Sequence, residues 1–184
     1  MDFSTKTIKL DDRNELKMQI WDTAGQEKYR SLIAHYFKNA HGALLVFDLA
    51  SRKSFEAIKT CWLENLKKFA PEKICKVVLA NKCDKVEEIE VENEEIQKFE
   101  RDFNIICYRT SAKESLGISE AFHSLAKLMN ENFFLLTSSD LKNKGTFEKT
   151  VGKMTEIQES ANGIKISVSK ERKKNKKSDL DQCC

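Results

Sequence analysis

"ICKVVLANKCD", residues 74–84, joins a strand-like apolar run to a polar tetrapeptide. A short, largely apolar run of this length reads as a strand covered on both faces. Asn81, Lys82, Cys83 and Asp84 follow it directly, so they fall at the strand's carboxyl end. An aspartate placed there can accept from both the ring N–H and the exocyclic amino group of guanine. Adenine offers no matching pair of donors on that edge, and a site built around these bonds leaves its carboxylate unpaired with the wrong base. Taken alone, an N-K-x-D tetrapeptide is equally compatible with a solvated loop. The flanking sequence decides between the two.

Upstream, "FSTKTIKL" (3–10) and "LKMQIWD" (16–22) alternate with period two around the turn-forming "DDRNE". This predicts a β-hairpin with Leu16, Met18 and Ile20 on one face. "GALLVFD" (42–48) is a second buried strand. Phe55, Ile58, Trp62, Leu66 and Phe69 then repeat at three and four residues. They predict a helix over about 52–69 with Ser51 as N-cap. Downstream, "VENEEIQKFERDF" (91–103) reads as a helix whose first-turn acids suit the dipole. "IICYRT" (105–110) reads as a strand. "GISEAFHSLAKLMNENFF" (117–134) reads as a helix with Ile118, Phe122, Leu125, Met129 and Phe133 on one stripe. Alternating strands and helices predict an α/β fold with a mostly parallel sheet and ligands at the carboxyl ends of the strands. After about residue 136 the periodicity fades. Residues 1–136 are therefore expected to form the domain and 137–184 a flexible tail, with a weak helix possible at about 146–160.

Two more strand ends carry polar motifs. "QIWDTAGQEKYRSL" (19–32) places Asp22, Gly25 and Gln26 just after an alternating strand. An acid there can organise a magnesium ion, the glycine lets backbone approach a phosphate, and the glutamine can hold a water. "TSAK" (110–113) follows "IICYR", where a backbone N–H and the Lys113 stem can complete a base pocket.

Composition narrows the class. Hydrophobic residues make up 40% and charged residues 33% of 184, as in an ordinary globular protein. The start, "MDFSTKTIKLDD", has no apolar core of a secretory signal, and no apolar run approaches the ~20 residues of a membrane-spanning helix. Residues 169–184 hold six Lys/Arg and three Asp/Glu, which equals the net +3 of the whole chain. The basic character thus lies in the tail, which argues against a nucleic-acid face on the body. Six cysteines without a signal point to a reducing compartment. Cys61, Cys75 and Cys107 read as buried thiols, and no C-x-x-C pair offers a zinc site. Cys183 and Cys184 are the last two residues.

Together, "WDTAGQE", "NKCD" and "TSAK" resemble the Ras-like small GTPases, and within them the Rab branch. The likeness covers about residues 1–136 and the terminal cysteines, with "DF" (2–3) similar to the end of Rab switch I and "YFKNA" to the continuation of switch II. The resemblance implies a small-GTPase-type sheet with helices on both faces, GTP or GDP and Mg2+ as ligands, and GTP hydrolysis as the activity. It implies that Asp22 contacts magnesium through water, Gly25 meets the γ-phosphate and Gln26 orients the attacking water. Asn81, Lys82 and Asp84 would take the guanine, with Ser111, Ala112 and Lys113 closing the pocket. Phe3, Trp21 and Tyr36 match the aromatic triad shown to effectors, although Phe3 and Trp21 can equally pair across the hairpin. The implied partners are Rab effectors, exchange and activating proteins and a prenylation escort, acting on a monomer. Cys183 and Cys184 would carry geranylgeranyl chains. The implied location is the cytoplasmic face of an intracellular membrane, in exchange with the cytosol, with a role in vesicle trafficking.

One part of that pattern has no counterpart. A phosphate loop should read G-x-x-x-x-G-K-[ST] between a strand and a helix. "GTFEKTVGKM" (145–154) has the wrong glycine spacing, Met154 in place of the hydroxyl, and no strand before it. By the resemblance, the chain opens inside switch I. The family's first strand, phosphate loop, first helix and switch I threonine then have no place in it, and little hydrolysis is expected. The first strand would lie between "LKMQIWD" and "GALLVFD", so its loss predicts two unpaired strand edges. Two readings fit: a Rab-type GTPase whose chain here lacks the N-terminus, or a non-enzymatic, membrane-anchored interaction protein with little nucleotide binding.

Overall fold

The computed structural model describes residues 3–12, 14–23, 37–142 and 164–170. Strands β1 (Phe3–Lys9) and β2 (Glu15–Thr23) form the predicted antiparallel hairpin, with Phe3 level with Trp21. The turn is closed by Asp11, whose carboxylate accepts from the backbone N–H and the side-chain amide of Asn14 at 2.9 and 2.7 Å. Strand β3 spans Gly42–Asp48. The predicted helix over 52–69 is continuous but not uniform. It runs as α1 (Arg52–Ala57), a π-helical turn (Ile58–Trp62) and α2 (Leu63–Phe69). The Ser51 side chain caps α1 by accepting from the Ser54 N–H, as expected of a serine at this position. Then come β4 (Cys75–Asn81), a 3-10 turn (Val86–Glu88) and α3 (Asn93–Phe103). Glu92 and Glu95 form a capping box on α3, satisfying two otherwise unpaired N–H groups. Strand β5 (Cys107–Arg109) is short, and α4 spans Ile118–Lys142.

Successive residues of the central strands face opposite layers. Leu45, Phe47, Val78 and Ala80 pack with Phe55, Ile58, Trp62 and Leu66 of the α1–α2 helix and with Ile96 and Phe99 of α3. Leu44, Val77 and Leu79 pack on the other face with Met18 and with Ala121, Leu125, Ala126 and Met129 of α4. This is why both strands read as unbroken apolar runs. Burying each large side chain contributes about 1.5–3 kcal/mol relative to exposure. Gly42 permits the close seat of α4, since a Cβ there would come 2.7 Å from the Met129 sulfur. The α/β fold with helices on both faces is as the sequence predicts. Arg52 ties α1 to α3 through Glu95, and that guanidinium lowers the Glu95 carboxyl to about 2.

The tail departs from expectation in two ways. Helix α4 continues past residue 136 to Lys142. No glycine or proline stands between Ile118 and Lys144, so nothing in the chain forces an end there. More consequentially, residues 164–170, read from sequence as flexible tail, form strand β6 (Ile164–Lys170) in the middle of the sheet. The strand order is β1-β2-β6-β3-β4-β5, with every pairing after the hairpin parallel. The two edges expected to face each other unpaired, on β2 and β3, are both paired with β6. "IKISVSK" does alternate apolar and polar residues, a strand signal, but its partners are remote in sequence and the charged residues that follow it make the segment read as tail. The helix considered at 146–160 lies outside the described residues.

Candidate nucleotide site

Because β2, β6, β3, β4 and β5 run parallel, their carboxyl ends share one edge of the sheet. Asp22, Asp48, Asn81 and the loop after Arg109 all come to it. The base-side residues are assembled there as a cross-braced pair of loops. The Asn81 side-chain oxygen accepts from the Ala112 N–H at 3.1 Å and lies 3.4 Å from the Thr110 hydroxyl. Its backbone carbonyl accepts from the Leu49 N–H at 2.9 Å. Asn81 therefore clasps the loop after β5 and the loop after β3 to the end of β4. The Ala112 N–H is thereby directed at Asn81.

Asp84 stands three residues on. Its Oδ1 accepts from the fully buried Ser111 hydroxyl at 2.5 Å, and that hydroxyl in turn accepts from the Glu114 N–H at 3.1 Å. The Ser111 bond, aided by the charges of Lys113 and Lys85, holds the Asp84 carboxyl below its ordinary range. It is ionised at neutral pH, the state needed to accept from two donors of guanine. The loop is closed by reciprocal backbone bonds of 3.0 Å between Ser111 and Leu116. It turns through Ser115 and Gly117, both in the left-handed region at φ 58° and 66°.

Lys82 also holds a left-handed backbone, φ 66°, which costs a non-glycine residue on the order of 1–3 kcal/mol. Its ammonium lies 2.5 Å from Asp48 Oδ2. Asp48 is itself fixed, with Oδ1 accepting from the Ala50 N–H at 2.9 Å. Asp48 and Thr110 are site residues that sequence reasoning missed. Asp48 could have been found: it ends a buried strand and stands level with Asn81 in the β3–β4 register. Lys113 is 77% exposed at its side chain and pairs with Glu114 at 3.0 Å. That pairing raises its pKa.

On the other side of the edge, Asp22 is exposed near the end of β2. Gly25, Gln26, Tyr36, Cys183 and Cys184 lie outside the described residues. Phe3 and Trp21 do pair across the hairpin, stacked at 4.9 Å between ring centroids, and Phe3 remains 54% exposed. Among the described residues no group of three His, Cys, Asp or Glu side chains converges as a metal site. Magnesium keeps several waters and is held by one or two carboxylates together with phosphates, and Asp22 presents one exposed carboxylate at this edge. Among the described thiols, Cys107 is pushed up to about 12 by burial and by Glu100, and Cys75 is raised by burial.

The family model described as "Ras family" matches residues 1–131. The chain is 39% identical over 140 residues to the Ras-related protein Rab-8 of Diplobatis ommata, covering 72% of this chain and 66% of the relative. It is 42% identical over 126 residues to the Ras-related protein Rab-1C of Dictyostelium discoideum, covering 68% and 62%. Against the Ras-related protein Rab-8A of Rattus norvegicus it is 35% identical over 173 residues, covering 94% and 75%. The chain thus spans just under two thirds of the length of the first two relatives. With "NKCD" and "TSAK" on the ends of its strands, "WDTAGQE" in its sequence and a match over most of its length, the chain belongs to the Ras family, on its Rab branch of small GTPases.

Proposed function

We propose that this chain is a guanine-nucleotide-dependent switch of the Rab type, whose described residues supply the base-recognising side of the site. The observation that carries this reading is Asp84, ionised and aimed by Ser111 on a loop that Asn81 clasps to the sheet. Asn81 and Thr110 hold the loop, Lys82 is oriented by Asp48, and Ala112 and Lys113 border the pocket. Asp22 would hold Mg2+ through water, Gly25 would meet the γ-phosphate and Gln26 would orient the attacking water. When bound, the magnesium ion would neutralise phosphate charge. Phe3, Trp21 and Tyr36 would meet effectors in vesicle trafficking, with exchange and activating proteins setting the nucleotide state.

Phosphoryl transfer depends almost wholly on positioning and charge stabilisation. The 184 residues hold no G-x-x-x-x-G-K-[ST] loop to provide them. Calorimetry on chain 1–184 is expected to show weak binding of GDP and GTP with preference over adenine nucleotides. A phosphate-release assay should show no hydrolysis above the buffer rate. Tight magnesium-dependent GTP binding would overturn that expectation. A second reading, an interaction protein with little nucleotide binding, is favoured by β6, which fills the position the resemblance gives to the family's first strand. Absence of any guanine preference would select it.

The tail would attach the protein to the cytoplasmic face of a membrane. No helix of the described residues is long and apolar enough to span one. Cys183 and Cys184 would be the lipid acceptors, modified with the help of a prenylation escort. Two chains at ~0.8 kcal/mol per buried CH2 outweigh the ~1 kcal/mol per basic residue offered by "KERKKNKK". High salt should therefore weaken membrane association without abolishing it, and the Cys183→Ser, Cys184→Ser double variant should fractionate as soluble. Pelleting of that variant to the same extent as the parent would refute the anchor.

A further inference from the structure

The strand at the centre of the sheet is unlike its neighbours. β3 and β4 carry apolar residues at successive positions, as suits strands covered on both faces. β6, "IKISVSK", alternates. Ile164 and Ile166 stand level with Met18 and Ile20 of β2, and Val168 with Leu44 of β3, positions that belong to the α4 layer. Ser167 and Ser169 stand level with Ala43 and Leu45, positions of the opposite layer. A slip of one residue would exchange the two sets, so the register matches the segment to one layer only.

We propose that the gap between β2 and β3 is a strand-acceptor site and that residues 164–170 are its tethered, detachable occupant. Both walls of the gap present rows of backbone N–H and C=O groups that an inserted strand satisfies in full. β6 does so along Met18–Thr23 on one side and Gly42–Val46 on the other. The tether is residues 143–163, which follow α4 and precede β6. A chain of that length can span at most about 70 Å. With apolar residues at alternate positions only, the β6 sequence offers less apolar surface than a strand apolar throughout, so it leaves before the rest of the sheet opens. Any other parallel strand that enters the gap must displace it. The occupant is this chain's own segment, and the proposal does not depend on nucleotide binding.

Hydrogen exchange on the full 184-residue chain tests it. Amides of 165–170 should exchange roughly a hundredfold or more slowly than in a free peptide of residues 162–172, yet at least roughly tenfold faster than those of Val77–Leu79 in β4. Ending the chain at Gly163 should speed exchange in β2 and β3, and adding the peptide should slow it again. In the full chain, Ile166→Lys should bring 165–170 close to the free-peptide rate, whereas Ser167→Thr should not. Free-peptide exchange of 165–170 in the unaltered chain would overturn the proposal. So would protection equal to that of β4, or protection that grows with protein concentration, which would mean a strand from a second copy.

Discussion

Asp84→Asn should turn the base preference from guanine toward xanthine. The carboxylate is placed to accept from two guanine donors, and hydrogen bonds to a charged group are each worth about 1.5–3 kcal/mol. An amide at this position meets one of those donors with a donor of its own. Xanthine presents a carbonyl where guanine presents its amino group, and that carbonyl accepts from the new amide. The guanine-to-xanthine ratio should fall by roughly a hundredfold or more. The fold should be unaffected, because the asparagine carbonyl still accepts from the Ser111 hydroxyl that now bonds Asp84. Competition between GDP and XDP for the full chain reads the ratio directly, and an unchanged ratio would show that Asp84 does not face the base. Since the Asp84 carboxyl titrates below its ordinary range, the wild-type preference should stay level as pH falls from neutral. It should decline only below the usual carboxylate range, as the acceptor is protonated.

Gly117→Ala should cost the protein a large share of its stability while touching no ligand. The residue sits at φ 66°, and a Cβ there would come 2.4 Å from the Arg109 carbonyl oxygen. Left-handed backbone costs a residue with a Cβ about 1–2 kcal/mol. The clash is with strand backbone, which cannot rotate aside, so the total should approach 3 kcal/mol or more. Gly42→Ala is the matched control. Its nearest neighbours are the Met129 sulfur and the Leu125 methyls, ends of flexible side chains, so its loss should stay below about 1.5 kcal/mol. Urea unfolding of both variants checks the order. Equal losses would show that the turn after Ser111 relaxes freely. If Gly117→Ala folds at all, its guanine preference should fall as well, because the Ser111–Leu116 closure holds the hydroxyl that aims Asp84.

The parts of this fold that were legible share one property: their evidence is local. "GALLVFD" and "ICKVVLA" each state their burial in consecutive residues, and the observed strands Gly42–Asp48 and Cys75–Asn81 follow them to within a residue. The helix over 52–69 shows in its spacing, as does its Ser51 cap. Asn81 and Asp84 were visible because a polar motif on a buried strand has few other uses. The clasp they make was not visible. Asn81 reaches Ala112 and Asp84 reaches Ser111 across a whole helix and strand of intervening chain. The Lys82–Asp48 pair likewise depends on two strands lying side by side.

By itself, then, the sequence determined the α/β alternation, the hairpin, the amphipathic helices and the motifs at the strand ends, because periodicity and turn chemistry act between near neighbours. Tertiary structure alone decided what lies at the centre of the sheet. A seven-residue alternating segment can read as a strand, but nothing near "IKISVSK" in the sequence says which strands it would lie between. It becomes β6 because β2 and β3 present two open ladders whose unpaired backbone groups are satisfied by any parallel strand of the right register.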